Sequence, residues 1–337
     1  MTGFLAVLVA GTIAWELATT GRTTFLTAEN GKNLLTLVGL YGILSLGQSI
    51  VIITGGIDLS VGSLVCLAGS CAALWMDKGD GTSPYIAIPA VLFLCAGVGL
   101  WHGVLITKAR MQPFVVTLCS LFFLRGFARL ITEDGTQGFG SAFEGLRWLG
   151  GGSIYDLIGG RADGMVPPPE SFIHIAMDLM PASFLVMLVL ALVLGLYLHQ
   201  SPQGRHIFAL GANEEAARFS GIRTNRLKLI AYIACSLISG LGGLLMAFKS
   251  NSIQPSNFGS FYELYAIAGA VLGGCSLRGG SGVVVGVVLG TAIIRVLYNM
   301  VNLLSIPSQL EYVVIGGVIL VGVFADEVFS QRSRTAR

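Results

Sequence analysis

Residues 182–199 read Ala-Ser-Phe-Leu-Val-Met-Leu-Val-Leu-Ala-Leu-Val-Leu-Gly-Leu-Tyr-Leu-His, an apolar run without one Asp, Glu, Lys or Arg. Its length is close to the ~20 apolar residues that cross a bilayer as a helix. On either side, comparable runs recur at 3–19, 34–53, 61–76, 85–106, 114–131, 229–248, 262–274, 282–300 and 310–325. The runs at 61–76 and 262–274 are short for a span. Together with their connections the runs use up the 337 residues and leave no room for a second, soluble domain. Composition agrees: 54% of residues are apolar and 11% charged, against roughly 25% charged in soluble domains. A chain of mean hydropathy +0.78 lacks the polar surface that water requires on all sides. The expectation is an all-α, polytopic membrane protein of about ten transmembrane helices, a single membrane domain over 1–337.

The remaining composition excludes other classes. A net charge of +2 is far from the basic excess of a nucleic-acid binder. The six cysteines lie in or beside apolar runs without C-x-x-C spacing, so they read as small hydrophobes rather than a disulfide framework or a metal site. The first run has no basic leader, contains Glu16 and lacks an A-x-A site. It reads as a span and not as a secretory signal.

Charge placement orients the chain. With both termini cytoplasmic, the inside connections hold Lys108 and Arg110, then Arg205, Arg218, Arg223, Arg226 and Lys228, then Arg278, and last Arg332, Arg334 and Arg337. The outside connection 132–180 carries mostly acidic residues, Asp156 and Asp178 among them, as the positive-inside rule requires. Its Gly150-Gly151-Gly152 and Pro167-Pro168-Pro169 read as loop or extended structure with room for one short helix. It is either a partner-binding surface or a tolerated insertion.

Glycines recur at four-residue spacing: Gly99 and Gly103, Gly269 and Gly273, and Gly282, Gly286 and Gly290. In lipid such stripes let helix backbones approach closely. Two blocks, 55–63 and 273–281, share a Gly-Gly…Ser pattern after apolar runs that end on the same face. An inverted repeat would place them on opposite faces, so they read as convergent glycine turns.

No nucleotide site is visible. No lysine follows a P-loop pattern; Gly31-Lys32 is followed by Asn33, not Ser or Thr. H-E-x-x-H and G-x-S-x-G are also absent, so an enzyme in its own right has no support. The cytoplasmic connection 200–228 instead contains Leu-Gly-Ala-Asn-Glu-Glu-Ala-Ala-Arg-Phe-Ser-Gly-Ile at 210–222. Asn213 suits the N-cap of a two-turn helix, Glu214 and Glu215 its positive end, and Gly221 its terminator. Ala217 is small while Arg218 and Phe219 project, as on a helix that docks into a groove on another protein; a purely structural loop is the alternative.

These residues resemble a family. The 210–222 run looks like the coupling helix of bacterial ABC importer permeases of the ribose and simple-sugar class. Further matches are Phe25-Leu26-Thr27-Ala28-Glu29-Asn30, the block Thr54-Gly55-Gly56-Ile57-Asp58-Leu59-Ser60-Val61-Gly62-Ser63, Gln112-Pro113-Phe114-Val115-Val116-Thr117-Leu118 with Arg125-Gly126, Tyr262-Glu263-Leu264 with Ala266-Ile267-Ala268, and Asn299 with Asn302-Leu303-Leu304. The resemblance covers nearly the whole chain. It implies a type II importer permease of the bacterial inner membrane, paired with a second permease copy or homologue. It also implies a cytoplasmic P-loop ATPase that holds ATP and Mg, and a periplasmic sugar-binding protein. The coupling surface would be Gly211, Asn213, Glu214, Ala217, Arg218, Gly221 and Arg278. No cofactor or metal is expected in this chain. The rival reading is a standalone secondary transporter of a small polar solute, which would need carboxylates at mid-membrane.

Two positions depart from the family pattern, which usually has Asp where Tyr265 stands and a small or apolar residue near Arg295. An arginine at lipid depth needs a partner, and Glu263 and Glu311, both placed near the outside ends of neighbouring segments, are the candidates for an ion pair. Asp58, in the turn made by Gly55, Gly56 and Gly62, is expected to cap the following helix. Gln48, Asn299 and Asn302 are neutral hydrogen-bonding groups suited either to a sugar path or to helix–helix bonds.

Overall fold

A computed structural model describes residues 2–21, 23–76, 81–158 and 172–304, with 306, 307, 310, 313, 316, 317 and 320. The chain folds as α1 (Thr2–Thr20), α2 (Ala28–Ile53), α3 (Val61–Trp75), α4 (Pro84–Thr107), α5 (Pro113–Ile131), α6 (Glu144–Gly151), α7 (Ile154–Ile158), α8 (Phe172–Asp178), α9 (Ala182–Gln200), α10 (Pro202–Ala212), α11 (Glu214–Phe219), α12 (Thr224–Ser250), α13 (Tyr262–Leu272) and α14 (Val284–Leu303). Among the described residues the only β features are two isolated bridges, Gln137 with Ile253 and Ser153 with Pro181.

Six helices, α2, α4, α5, α9, α12 and α14, are long and apolar enough to cross a membrane. The short runs fold as the 15-residue α3 and 11-residue α13. Helix starts follow local chemistry. Thr27 caps α2 by accepting from Asn30 N–H, and Pro84, Pro113 and Pro202 open α4, α5 and α10, where a missing N–H costs nothing. The run 310–325 falls mostly outside the described residues, as do Arg332, Arg334 and Arg337.

The centre of the bundle is a pair of long antiparallel helices. Gly47 of α2 faces Cys235 and Ile238 of α12, while Gly242 faces Ile43 and Leu44. The unit α2–α3–α4 and the unit α12–α13–α14 share one plan, a long helix, an irregular turn, a short helix and a long helix. Their contacts exchange: α12 packs on α3 and α4 as α2 packs on α13 and α14, and α3 touches α13. Each short helix runs parallel to the other unit's long helix, as Val65 lies beside Gly243 and Gly69 beside Ala247. This is an inverted repeat. The counterpart of the turn 54–60 is the turn 251–261, so the 273–281 block is not its repeat.

The glycine stripes pack as their spacing predicts. A methyl on Gly273 would lie 2.6 Å from the Gly286 carbonyl carbon, and one on Gly99 2.6 Å from Ile233 Cα. Outward, α4, α5 and α9 expose Phe93, Phe122, Phe123, Leu130, Val189 and Leu192, an apolar girdle suited to lipid.

The end where α2, α4 and α9 finish is here the basal end, and the opposite one apical. Apically, the connection after α5 is more ordered than a loop: its described residues form α6, α7 and α8. Lys32 pins it to α2 through Asp156 (3.4 Å) and Asp178 (2.5 Å). The exposed Arg129 and Asp134 form a two-armed pair at 2.6 and 2.8 Å; these hydrogen bonds hold the Asp134 carboxyl below its ordinary range.

Candidate functional site

The basal end carries the capped helix that the sequence predicts. Asn213 Oδ1 accepts from Ala216 N–H at 2.9 Å. At the other end Gly221 adopts φ +85°, with Gly221 N–H donating to Arg218 C=O (3.0 Å) and Ile222 N–H to Ala217 C=O (3.1 Å), the paired bonds of a Schellman stop. Ala217 is buried and Phe219 is 84% exposed, so the helix presents its aromatic ring to the surroundings. Glu214 ties it to α12 through Lys228 at 2.6 Å.

A second helix, α10, precedes it and is absent from the expectations above. Ser201 caps it by accepting from Gly204 N–H at 2.9 Å. The Ser201-Pro202 pair is a helix-start signal that the sequence does contain.

Three glycine segments meet where α10 ends. Gly280 N–H donates to the Ile53 C=O at the end of α2 (2.9 Å). A methyl on Gly279 would lie 2.8 Å from the Gly211 carbonyl and 2.9 Å from Gly55 Cα. Gly55, Gly279 and Gly280 all have positive φ. Gly211, the turn at Gly55 and Gly56 and the turn at Arg278 therefore form one junction made of main chain. Arg278 itself is exposed.

Above the junction the turn 54–60 folds back into the bundle. Asp58 is 1% exposed, and its Oδ1 accepts from the Ser60 N–H (2.8 Å) and hydroxyl (2.6 Å). This closes a turn just ahead of α3 instead of capping the helix; the cap residue is Ser60, whose side chain makes no cap bond. The Gln48 amide pairs with the Asp58 backbone, donating to its C=O (3.2 Å) and accepting from its N–H (3.1 Å). Buried His102 lies 4.0 Å from Asp58 Oδ2 and 2.8 Å from Ser120 Oγ. Asp58 and Ser60 belong to the block 54–63 that the sequence displays, but Gln48, His102 and Ser120 leave no motif, because they are single residues on three separate apolar runs.

At the centre the two short helices meet end to end. Gly62, at the start of α3, is in backbone contact with Gly259 and lies against Glu263 at the start of α13. Glu263 is therefore a buried residue in the middle of the bundle, not a residue near its outside end. Its Oε2 has no hydrogen-bond partner. Arg125 braces the turn 251–261 by donating to the Pro255 (3.1 Å) and Phe258 carbonyls.

Arg295 does not form the expected ion pair with Glu263. Its guanidinium lies over the Tyr41 ring at 3.6 Å, with Tyr298 at 4.5 Å and Tyr265 at 5.0 Å. Glu263 instead faces α3. Burying an arginine at lipid depth costs about 2.5–3.5 kcal/mol, and a desolvated cation–π contact returns about 2 kcal/mol or more, so three rings replace the carboxylate. Glu311 lies outside the described residues.

Gln48, Asn299 and Asn302 do not converge. Asn299 exchanges two amide bonds with Asn30 of α2 (2.7 and 3.2 Å), and Asn302 donates to the Tyr298 carbonyl at 3.0 Å. Apically, a groove of about 490 Å³ lies beside Asn30, Lys32, Asn33 and Thr36. A second of about 470 Å³, by Trp148 and Asp156, shares Gly151 and Lys249 with it.

Residues 30–323 match the family described as "Branched-chain amino acid transport system / permease component". The chain belongs to this permease family. The permease is 35% identical over 321 residues to the ribose import permease protein RbsC of Escherichia coli K12, covering 95% of this chain and 92% of that one. It is 36% identical over 304 residues to RbsC of Bacillus subtilis, covering 90% and 86%. With the xylose transport system permease protein XylH of Haemophilus influenzae the identity is 32% over 362 positions, covering 96% and 94%. No solved structure matches the permease. These relatives are transport components, and the permease is accordingly a multi-pass inner-membrane protein.

Proposed function

We propose that this chain forms the translocation path of an ATP-driven, binding-protein-dependent sugar importer. The observation that carries this reading is α11: a helix stopped at both ends, offering Arg218 and Phe219 outward, and joined by α10 to a main-chain junction at the ends of α2 and the 273–283 turn. A helix of six residues is unstable alone in water, so its double capping points to a surface built to receive force. The relatives named for ribose and xylose supply the solute class.

In this reading the basal end is cytoplasmic, ten spans place both termini there, and 1–337 is one permease domain. Residues 200–228 meet a P-loop ATPase, which holds ATP and Mg, through Gly211, Asn213, Glu214, Ala217, Arg218, Gly221 and Arg278. The connection 132–180 faces the periplasm and receives the sugar-binding protein, and a second permease copy or homologue completes the path. Asn299 and Asn302 stand on the apical half of α14, where an entering solute passes, while Gln48, Gly55, Gly56, Asp58 and Gly62 hold the broken-helix turn. ATP-driven closure of the ATPases pushes on α11, and the two inverted units tilt against each other.

A standalone secondary transporter is favoured by one observation, the unpartnered Glu263 oxygen at the centre of the bundle. It leaves α10 and α11 without a task. Uptake in vesicles separates the two. With ATPase and binding protein present, sugar enters only with ATP, and Arg218→Glu or Gly221→Glu abolishes entry while the protein stays in the membrane. Ion-driven entry without the ATPase, or full uptake by both variants, overturns the proposal.

A further inference from the structure

Arg295 stands at the twelfth position of the 20-residue α14, near the middle of the bundle, and is 5% exposed. Its Nε and Nη2 are buried and have no hydrogen-bond partner. No carboxylate among the described residues lies within ion-pair distance of it. Tyr41, Tyr265 and Tyr298 cover the guanidinium with their ring faces, and Tyr262 stands at 5.0 Å from Tyr41, ring to ring. The Tyr265 and Tyr298 hydroxyls hydrogen-bond each other. Ring faces balance a cation's charge but take none of its in-plane N–H bonds. A guanidinium is a planar fork that carboxylate and phosphate fill with two parallel bonds. The four tyrosines are only half-buried, and a solute reaching the fork would pass their exposed edges. The site lies level with the starts of α3 and α13, the depth at which broken-helix transporters hold their solute.

Resting on the sugar-importer reading, we propose that Arg295 and its tyrosines are a transient site for a sugar carrying a negative group, a carboxylate or a phosphate. The anion takes the guanidinium fork while the rings pack against the apolar face of the sugar. The tyrosine cover keeps the charge screened when the site is empty.

Vesicles holding the whole importer and ATP test this with labelled D-ribonate, D-ribose 5-phosphate and D-ribose. One of the two acids is expected to enter faster than ribose, and the better of them identifies the anionic group. Arg295→Gln should then slow that acid at least about tenfold more than it slows ribose, the loss typical of charge-assisted hydrogen bonds. Arg295→Lys, which keeps the charge without the fork, should fall between. Ribose entering faster than both acids overturns the inference and leaves the importer reading standing. An equal loss for all three solutes in Arg295→Gln also overturns it, because a packing role has no preference among them. If none of the three enters with ATP, the importer reading fails and this inference fails with it.

Discussion

Single glycines here have separable reasons to be glycine. Gly221 has φ +85° and no neighbouring atom within 4 Å of where an alanine methyl would stand, whereas Gly280 has φ +76° and such a methyl would meet Ala212 Cα at 2.7 Å. Gly221→Ala therefore pays only for left-handed backbone, about 1–2 kcal/mol, and Gly280→Ala adds about 1–3 kcal/mol of overpacking. Thermal unfolding in detergent should rank Gly280→Ala clearly below Gly221→Ala; equal midpoints would contradict the junction. The Asn30–Asn299 pair makes a second case. Asn299→Ala should lose roughly 0.6 kcal/mol, the average for interhelical bonds in membranes, Asn30→Ala more because its amide also donates to the Phe25 carbonyl, and the double variant no more than Asn30→Ala alone. The Arg129–Asp134 pair adds a pH signature. Its carboxyl is held below the ordinary range, so its contribution is present at neutral pH and is lost as pH falls through that titration. The protection of the amides at 251–254, next to this turn, measured relative to their intrinsic exchange rates, should fall in acid for the wild type and not for Asp134→Asn. At this scale the sequence marks Gly221 by its place after a capped run. It cannot mark the cage of Arg295, since Tyr41 comes from a helix on the far side of the chain and no short-range pattern links the two.

Elements are legible where local chemistry sets them. The run 182–199 is α9 almost to the residue, and Asn213 and Gly221 bracket α11 as their side-chain and backbone preferences require. The helix α10 is harder to see because its apolar residues are sparse, although Ser201 and Pro202 announce it. The apical connection reads as loop from its Gly and Pro clusters, yet Lys32, Asp156 and Asp178 fasten its helices by charge across long sequence distances. Asn213→Ala removes the cap of α11 at a cost of about 1 kcal/mol. In the complete importer it should lower ATP-driven uptake while leaving the amount of permease in the membrane unchanged, and Asn213→Asp should restore most of the rate. Uptake equal to wild type in the alanine variant would show that α11 need not be held in shape.

The core of the molecule is two inverted units packed along α2 and α12, whose short helices meet at the glycine contact between Gly62 and Gly259. Neither unit's sequence announces the other, because inversion preserves helix lengths and turns but not residue identities. The short lengths of α3 and α13 are visible in the apolar runs; that their starts meet is not. A methyl at Gly62 or Gly259 would enter the backbone of the opposite unit, so Gly62→Ala or Gly259→Ala should destabilise the fold by about 1–3 kcal/mol and slow transport of every solute alike. Wild-type melting and uptake in both variants would refute a packed centre. The basal junction of Gly211, Gly55 and Gly279 has a different consequence. It joins the end of α10 to the ends of α2 and the 273–283 turn mainly through peptide groups, with the Glu214–Lys228 pair fastening α11 to α12 beside it, whereas Arg295 and its rings meet through side chains. Under the proposed function and the proposed Arg295 site, motor and cargo are thus addressed in two separate chemical languages, and a lineage could exchange one cargo for another by side-chain replacement without re-matching its ATPase.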